Sequence, residues 1–188
     1  MGYFDIEKNV QDYINMVKEY DGTDLINILR KYLQKDSTLL ELGMGPGKDL
    51  DILRKYYKVT GSDSSQVFIN GYKKKHPGVD IIQIDARDIE IQNKFDCIYS
   101  NKVLIHLTKE ECKSSLKQQK NILNSKGLLF HTFWYGTKTE KYHDLLFTYY
   151  TDDELRSMIE GDYNIIKMER YPEDKKDDSI LIILQSKQ

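Results

Sequence analysis

The sequence predicts an α/β fold with a doubly wound, mostly parallel sheet of seven strands and helices on both faces. Two observations carry this prediction. Short apolar runs alternate with helical apolar spacings along most of the chain, which implies right-handed crossovers between parallel strands. The last two strand-like runs, around Tyr163–Tyr171 and Ser179–Ser186, are separated only by a polar turn, so they are expected to form a C-terminal antiparallel hairpin.

The first strand and the turn that follows it organise the rest of the chain. Residues 39–42 form a short apolar run that leads into Gly43, Gly45 and Gly47, and the apolar spacing of a helix comes next. Glycines allow the backbone to approach a ligand closely and to adopt positive φ. A turn from a strand into a helix also directs free N–H groups into the crevice at the carboxyl edge of a sheet. This turn is therefore the predicted ligand site.

The spacing of the glycines distinguishes this turn from two known nucleotide-binding motifs. The chain has G-x-G-x-G, with Glu41 two places before the first glycine, whereas the dinucleotide fingerprint is G-x-G-x-x-G. The phosphate-binding motif G-x-x-x-x-G-K-[ST] is absent, because the spacing differs and Lys48 is followed by Asp49.

The other elements follow in chain order. Helical spacings at 7–20 and 21–33 precede the first strand, and the helix after the second strand stops at His76-Pro77-Gly78. Capping boxes at 108–111 and 151–154 open two later helices. The remaining strands are predicted at 57–63, 81–85, 95–100 and 128–133.

Polar residues stand at the predicted carboxyl ends of consecutive strands, where ligands bind in such sheets. Asp63 lies about twenty residues after the first glycine, where an acid can accept both hydroxyls of a ribose. Asp85 could accept from the exocyclic amine of an adenine, and Ser100 with Asn101 could contact an amino-acid group. Each of them is alternatively a surface or capping residue.

These segments, taken in order, resemble the motifs of the class I S-adenosylmethionine-dependent methyltransferases. The resemblance covers about 22–184 and rests on residues 40–49, 62–64, 84–86, 95–107, 126–129 and 150–155. It implies a Rossmann-like architecture and one methyltransferase domain over 1–188, with a core at 22–188. The N-terminal helix within 1–21 is a candidate lid. The terminal hairpin matches the feature that distinguishes this family from nucleotide dehydrogenases.

The resemblance also implies a cofactor, S-adenosyl-L-methionine, with S-adenosyl-L-homocysteine as product. The residues that it assigns to cofactor binding are Glu41, Gly43, Gly45 and Gly47 at the methionine part, Asp63 at the ribose, and Asp85 and Ala86 at the adenine. Ser64, Ser100 and Asn101 are also expected to bind the cofactor. The reaction would be an in-line displacement at the methyl group, helped by holding the acceptor in a near-attack geometry.

The methyl acceptor is not identified by any motif. If it must lose a proton, His106 and His131 are the candidate bases, although each is alternatively a structural histidine. An aromatic stretch lies where the family places acceptor contacts, and its candidate residues are Trp134, Tyr135, Tyr149 and Tyr150. The polar residues 136–141 within this region are expected to be a movable loop. Without a large insertion, a small-molecule acceptor is expected.

Composition excludes several other classes of protein. The net charge of −2 gives no basis for expecting nucleic acid or an anionic membrane as a partner. Cys97 and Cys112 have neither disulfide nor metal-site spacing, so no metal and a cytoplasmic location are expected. The oligomeric state is left open. Two alternatives stay open: a nicotinamide-dependent oxidoreductase, and a non-catalytic sensor or partner protein that binds the same cofactor.

Overall fold

The structure, a computed structural model, describes residues 2–187. Helices separate the first strand from the second, the second from the third, the fourth from the fifth and the seventh from the eighth. Their bounds are β1 (Thr38–Leu42), β2 (Lys58–Asp63), β3 (Ile81–Gln83), β4 (Phe95–Asn101), β5 (Leu123–Trp134), β6 (Thr139–Tyr142), β7 (Leu145–Thr148), β8 (Tyr163–Tyr171) and β9 (Ser179–Ser186).

The helices pack around these strands. Their bounds are α1 (Glu7–Met16), α2 (Thr23–Leu29), α3 (Lys48–Leu53), α4 (Gln66–Lys75), α5 (Lys109–Asn121) and α6 (Asp152–Ile159). Single 3-10 turns occur at Tyr3–Asp5 and Leu104–His106. Both predicted capping boxes are present, with Thr108 and Thr151 as the N-caps of α5 and α6. Within residues 2–187, no helix is long and apolar enough to span a membrane.

Seven of the strands form one sheet in the order β3-β2-β1-β4-β5-β9-β8. The pairings among β1 to β5 are all parallel, and β9 runs antiparallel to both β5 and β8. The predicted fold class is therefore confirmed: a doubly wound, mostly parallel sheet that ends in an antiparallel hairpin. The order reverses at β1, whose neighbours β2 and β4 lie on opposite sides of it.

The sheet is buried on both faces by alternate residues of its strands, as the period of two requires. Leu40 and Ile98 belong to the cluster that contains the buried residues of α5 and α6. Leu39 and Tyr99 belong to the cluster that contains the apolar residues of α2. The continuous apolar runs that predicted parallel strands thus reflect burial on both sides.

Two segments differ from the prediction. The fifth strand begins at Leu123 instead of 128, because the chain leaves α5 and pairs at once with Phe95 before the register shifts at Cys97. Lys126, with φ of 61°, lies inside this irregular part of the strand. The expected loop at 136–141 instead contains β6, which pairs with β7 in a separate hairpin. Backbone pairing across this hairpin outweighs the polar composition of β6.

Candidate functional site

A cavity of about 670 Å³ opens at the carboxyl ends of β1, β4 and β5, where the strand order reverses. Three parts of the chain surround it: the glycine turn after β1, the N-terminal segment, and the residues that follow β4 and β5 together with the β6–β7 hairpin. Its lining residues include Tyr3, Phe4, Tyr13, Met16, Tyr20, Glu41, Gly43, Gly45, Asp49, Asn101, Lys102, His106, Trp134, Tyr142, His143, Phe147 and Glu173.

The three glycines of the turn all have positive φ, at 72°, 51° and 85°, but they have different neighbours. A Cβ at Gly43 would lie 2.5 Å from Val103, and one at Gly47 would lie 2.1 Å from Tyr72. A Cβ at Gly45 would meet only the Tyr13 ring, at 3.7 Å, and would otherwise point into open space. Gly43 and Gly47 are therefore required by packing, whereas Gly45 keeps the backbone open to the cavity.

Glu41 is a buried acid that lines the same cavity. Its Oε2 atom has no hydrogen-bond partner among the residues that the structure describes. Burial, followed by the nearby Asp49 and Asp63, raises the pKa of the Glu41 carboxyl well above its usual range. An unpaired buried carboxyl oxygen at a cavity wall is costly unless a ligand donates to it.

A second buried carboxyl, that of Asp49 at the start of α3, was not singled out as a site residue by the sequence analysis. It accepts hydrogen bonds from the Tyr99 hydroxyl at 2.7 Å, the Tyr20 hydroxyl at 3.1 Å and the Asn101 amide at 3.2 Å. Burial raises the pKa of Asp49, and these three hydrogen bonds oppose that shift. Only its place directly after the glycine turn, at a helix N-terminus, could have indicated it from the sequence.

Asp63, the predicted ribose ligand, instead holds the backbone around the site. Its carboxylate accepts the Gly45 N–H at 2.8 Å and the Ser65 N–H at 2.8 Å, so it ties the glycine turn to the end of β2. Burial raises the pKa of this carboxyl, while the backbone hydrogen bonds lower it. Asp63 does not line the cavity, because aromatic residues of the N-terminal segment lie over this end of the sheet.

The N-terminal segment that covers this end is held by specific contacts. Phe4 packs on Phe68 of α4 and on Tyr13, with ring centroids 5.4 and 5.3 Å apart. The Ser65 hydroxyl donates to the Phe4 carbonyl at 2.6 Å. At the opposite rim, Tyr3 stacks on His143 at the turn between β6 and β7.

Five other residues assigned to the cofactor do not line the cavity, and one of them is Gly47. The side chain of Asp85 is paired with the Arg87 guanidinium, which donates from Nε at 2.9 Å, and Ala86 is buried in the core. Ser64 is exposed, and the buried Ser100 hydroxyl bonds to His131. Ser100 and Asn101 are the last two residues of β4, and of these two only Asn101 lines the cavity.

The two candidate bases have different environments. His131 is fully buried: its Nδ1 lies 2.8 Å from the Ser100 hydroxyl and its Nε2 lies 2.9 Å from the Gln119 carbonyl oxygen. Both ring nitrogens are occupied and the ring does not line the cavity, so the interpretation of His131 as a base is not supported. The residue is a structural histidine between the sheet and α5.

His106 lines the cavity, and its Nδ1 lies 2.7 Å from the Leu146 carbonyl. A carbonyl only accepts, so Nδ1 carries the proton and Nε2 of the neutral ring keeps its lone pair. Burial lowers the pKa of His106 despite this hydrogen bond, which favours the neutral form. His106 is therefore a cavity histidine with a fixed tautomer.

Of the four aromatic residues expected at the acceptor, only Trp134 lines the cavity. Tyr150 is fully buried against Phe133 and is a core residue. Tyr135 and Tyr149 lie outside the cavity, where Arg170 and Lys138 cover their rings. In this structure these three tyrosines therefore lie away from the cavity, although the β6–β7 hairpin between Tyr135 and Tyr149 contributes Tyr142, His143 and Phe147 to its wall.

Comparison with known proteins agrees with this geometry. Residues 39–127 match the family model described as a methyltransferase domain. No curated protein sequence matches the chain. Among solved structures, a methyltransferase from Clostridium acetobutylicum that depends on S-adenosylmethionine has a TM-score of 0.77 at 15% identity, over 96% of this chain and 98% of its own.

Two similar structures contain ligands. CalS10 from Micromonospora echinaspora, an amino pentose methyltransferase bound to S-adenosylmethionine, has a TM-score of 0.76 at 13% identity, over 95% of this chain and 97% of its own. The 1,6-didemethyltoxoflavin-N1-methyltransferase from Burkholderia thailandensis, with its substrate and S-adenosylhomocysteine, has a TM-score of 0.75 at 16% identity, over 95% and 87% of the two chains. At these identities the likeness shows a shared fold.

Proposed function

The chain belongs to the class I S-adenosylmethionine-dependent methyltransferases, and we propose that it methylates a small molecule bound in the cavity beside the glycine turn. The observation that carries this proposal is the buried Glu41, which lines a cavity that Gly45 keeps open and whose Oε2 has no hydrogen-bond partner among the described residues. A ligand with a hydrogen-bond donor would satisfy this oxygen, and the cofactor carries an ammonium group.

The residues around the turn fit the cofactor, which supplies a methyl group on a positively charged sulfur. Glu41 would accept from the ammonium, and the backbone at Gly43, Gly45 and Gly47 would line the methionine part. Asp63 and Ser64 would face the ribose, and Asp85 with Ala86 the adenine. Because Phe4 and Tyr13 cover this end of the sheet, we propose that the N-terminal segment moves when the cofactor enters. This motion would be the role of the candidate lid.

His106 is the proposed base in this reaction. Its Nε2 would accept the proton of the acceptor group while the methyl group is transferred, and the Nδ1–H bond to the Leu146 carbonyl keeps the ring oriented. Where the acceptor carries no proton to lose, the same contact would only position it. The remaining rate enhancement would come from holding the acceptor atom in line with the methyl group and the sulfur.

The size of the cavity and the nature of the similar proteins support a small acceptor. A volume of about 670 Å³ lies within the usual range for small-molecule sites. Two of the similar structures are named for an amino pentose and for a heterocyclic nitrogen as acceptors. The oxidoreductase alternative is not retained, since residues 39–127 match a methyltransferase family.

Calorimetry with S-adenosylhomocysteine tests the proposed role of Glu41. The change Glu41→Gln keeps the shape of the side chain but prevents it from ionising when the ammonium of the ligand binds, so we expect binding to weaken by roughly 1.5–3 kcal/mol, the worth of a hydrogen bond to a charged group. The exposed Glu90→Gln is the matched control and should bind like the wild type. Equal affinity of Glu41→Gln and the wild type would contradict the assignment, and tighter binding of NADH than of S-adenosylhomocysteine would contradict the cofactor.

A further inference from the structure

A cluster of charged and aromatic residues in the cavity wall is used neither by the proposed cofactor contacts nor by the proposed proton transfer. Its centre is Lys102, directly after β4. The Lys102 Nζ lies 2.7 Å from Glu173 Oε2 and 2.6 Å from the Ser179 hydroxyl. The same ammonium lies 3.5 Å from the centroid of the Trp134 ring, so it contacts a face of the only tryptophan in the sequence. Lys102, Trp134 and Glu173 all line the cavity.

The lysine in this pair is rigidly placed. Its backbone has a φ of 55°, which is unusual for a residue other than glycine, and its N–H donates to the Thr132 hydroxyl at 3.0 Å. The side chain is only 12% exposed. Burial lowers the pKa of Lys102, and Glu173 is the main group that opposes this shift. A buried ammonium in this position therefore requires a carboxylate partner.

The carboxylate in the pair is more exposed than the lysine, and it also accepts hydrogen bonds from the hydroxyls of Ser179 at 3.1 Å and Tyr171 at 3.3 Å. The Glu173 side chain is 31% exposed and lies on the polar turn between β8 and β9, where the residues from 172 to 177 are all exposed. The turn is closed by Asp178, which accepts the backbone N–H groups of Glu173, Asp174 and Lys175. The shape of the turn thus depends on Asp178, and the Glu173 side chain can leave Lys102 without unfolding it.

We propose that the methyl acceptor carries a carboxylate, which replaces Glu173 on Lys102 when the acceptor binds; this inference rests on the proposed function of the same cavity. The exchange leaves the buried ammonium paired in both states. An ammonium-bearing acceptor is disfavoured, because it would enter between Lys102 and the positively charged sulfur of the cofactor. With its carboxylate on Lys102, the acceptor lies beside Trp134 in the cavity that also contains His106.

The fluorescence of Trp134 provides a direct test with simple probes. Protein saturated with S-adenosylhomocysteine is titrated at constant ionic strength with benzoate, and with the neutral benzamide and the cationic benzylamine for comparison. We expect benzoate to change the emission at the lowest concentration of the three. Glu173→Gln should bind benzoate at least several-fold more tightly, because the competing charge is gone, and Lys102→Met should lose the response.

Asp174→Asn is the matched control, since it removes one negative charge from the same turn without removing a contact to Lys102. Its benzoate affinity should stay close to that of the wild type. If Asp174→Asn and Glu173→Gln increased the benzoate affinity equally, the increase would result from the lower negative charge of the turn and not from the loss of the contact to Lys102. That result would overturn the proposal. Tighter binding of benzylamine, or an unchanged benzoate affinity in Glu173→Gln, would overturn it as well. Calorimetry with S-adenosylhomocysteine, measured without an acceptor, tests the proposed function separately. If S-adenosylhomocysteine binds but the benzoate results fail, only the proposal about the carboxylate is overturned.

Discussion

Gly45 differs from its two neighbouring glycines in what its α-carbon faces. Gly43 and Gly47 are packed against Val103 and Tyr72, whereas Gly45 faces the cavity and donates its N–H to Asp63. The glycines of this motif therefore have two different physical roles. Gly43 and Gly47 allow close packing within the protein, and Gly45 allows the close approach of a ligand.

Alanine substitutions should separate these roles. Gly45→Ala has room for its Cβ and should cost only about 1–2 kcal/mol of folding free energy for the positive φ. Its affinity for S-adenosylhomocysteine should fall at least tenfold, because the methyl group enters the cavity. Gly47→Ala, whose Cβ would lie 2.1 Å from Tyr72, should lose more stability than that. Thermal unfolding and calorimetry on both variants measure the contrast, and full cofactor affinity in a folded Gly45→Ala would contradict it.

Replacement of His106 should test its role as the base. For a known acceptor that loses a proton, His106→Gln should lower turnover on the order of a hundredfold while cofactor affinity is kept. Wild-type turnover should rise with pH through a pKa below the ordinary histidine value, since burial favours the neutral ring. Pre-steady-state rates across a pH series test this, with His76→Gln as a control. A His106→Gln rate close to the wild type would leave positioning as the mechanism.

At the scale of elements, the N-terminal segment is joined to the site through Tyr20. This residue lies between α1 and α2, donates to Asp49 and accepts from the Asn101 amide at 2.6 Å. The Lys48 ammonium also donates to the Lys18 carbonyl at 2.5 Å. The helix that covers the cavity is thus anchored at its C-terminal end beside the glycine turn, and at its N-terminal end by the contacts of Tyr3 and Phe4.

Removing the Tyr20 hydroxyl should release this segment. In Tyr20→Phe we expect faster hydrogen exchange of the amides of α1 and an affinity for S-adenosylhomocysteine that is several-fold weaker, because Asp49 and Asn101 both lose a partner. The strands of the sheet should exchange as in the wild type. The exposed Tyr32→Phe is the control, and exchange measured by mass spectrometry gives the result by segment. If α1 exchanged at the same rate in both variants, Tyr20 would not be the anchor.

For the whole molecule, the buried chain of polar side chains from Ser100 through His131 to Gln119 couples stability to pH. Burial lowers the pKa of His131 to about 3. An unfolded histidine has a pKa of about 6.5, so between these values the unfolded state binds more protons. The contribution of the neutral ring is therefore full above about pH 6.5 and is lost as the pH falls towards 3.

This linkage predicts a measurable slope. Between about pH 6 and pH 4, His131 alone should reduce the free energy of unfolding by about 1.4 kcal/mol for each pH unit. Denaturant unfolding of the wild type and of His131→Gln over this range should differ by that slope, while the acidic groups common to both proteins cancel. If the free energies of unfolding of the two proteins changed with pH in parallel, the His131 ring would be protonated as readily in the folded state as in the unfolded state, which would contradict the prediction.

The elements that the sequence predicted well are those whose signals are local. The capping residues Thr108 and Thr151 start helices because each side chain bonds to a backbone N–H three residues later. The β6–β7 hairpin was missed because β6 is polar and fully exposed, so no apolar alternation marks it. The early start of β5 was missed because its first residues pair irregularly with β4.

The sequence by itself predicted the sheet and the glycine turn, because both follow from periodicity or from the spacing of a few residues close together in the chain, whereas the methyltransferase family and the cofactor were implied by the resemblance of the ordered motifs. Only the tertiary structure decided which residues face the cavity. It placed His106 and Trp134 in the wall and buried His131 and Tyr150 in the core, and it brought Asp49 together with Tyr20 and Asn101. It also paired Lys102 with Glu173 across a distance of 71 positions in the chain. Such contacts depend on how strands and loops pack, and no local pattern of residue types encodes that packing.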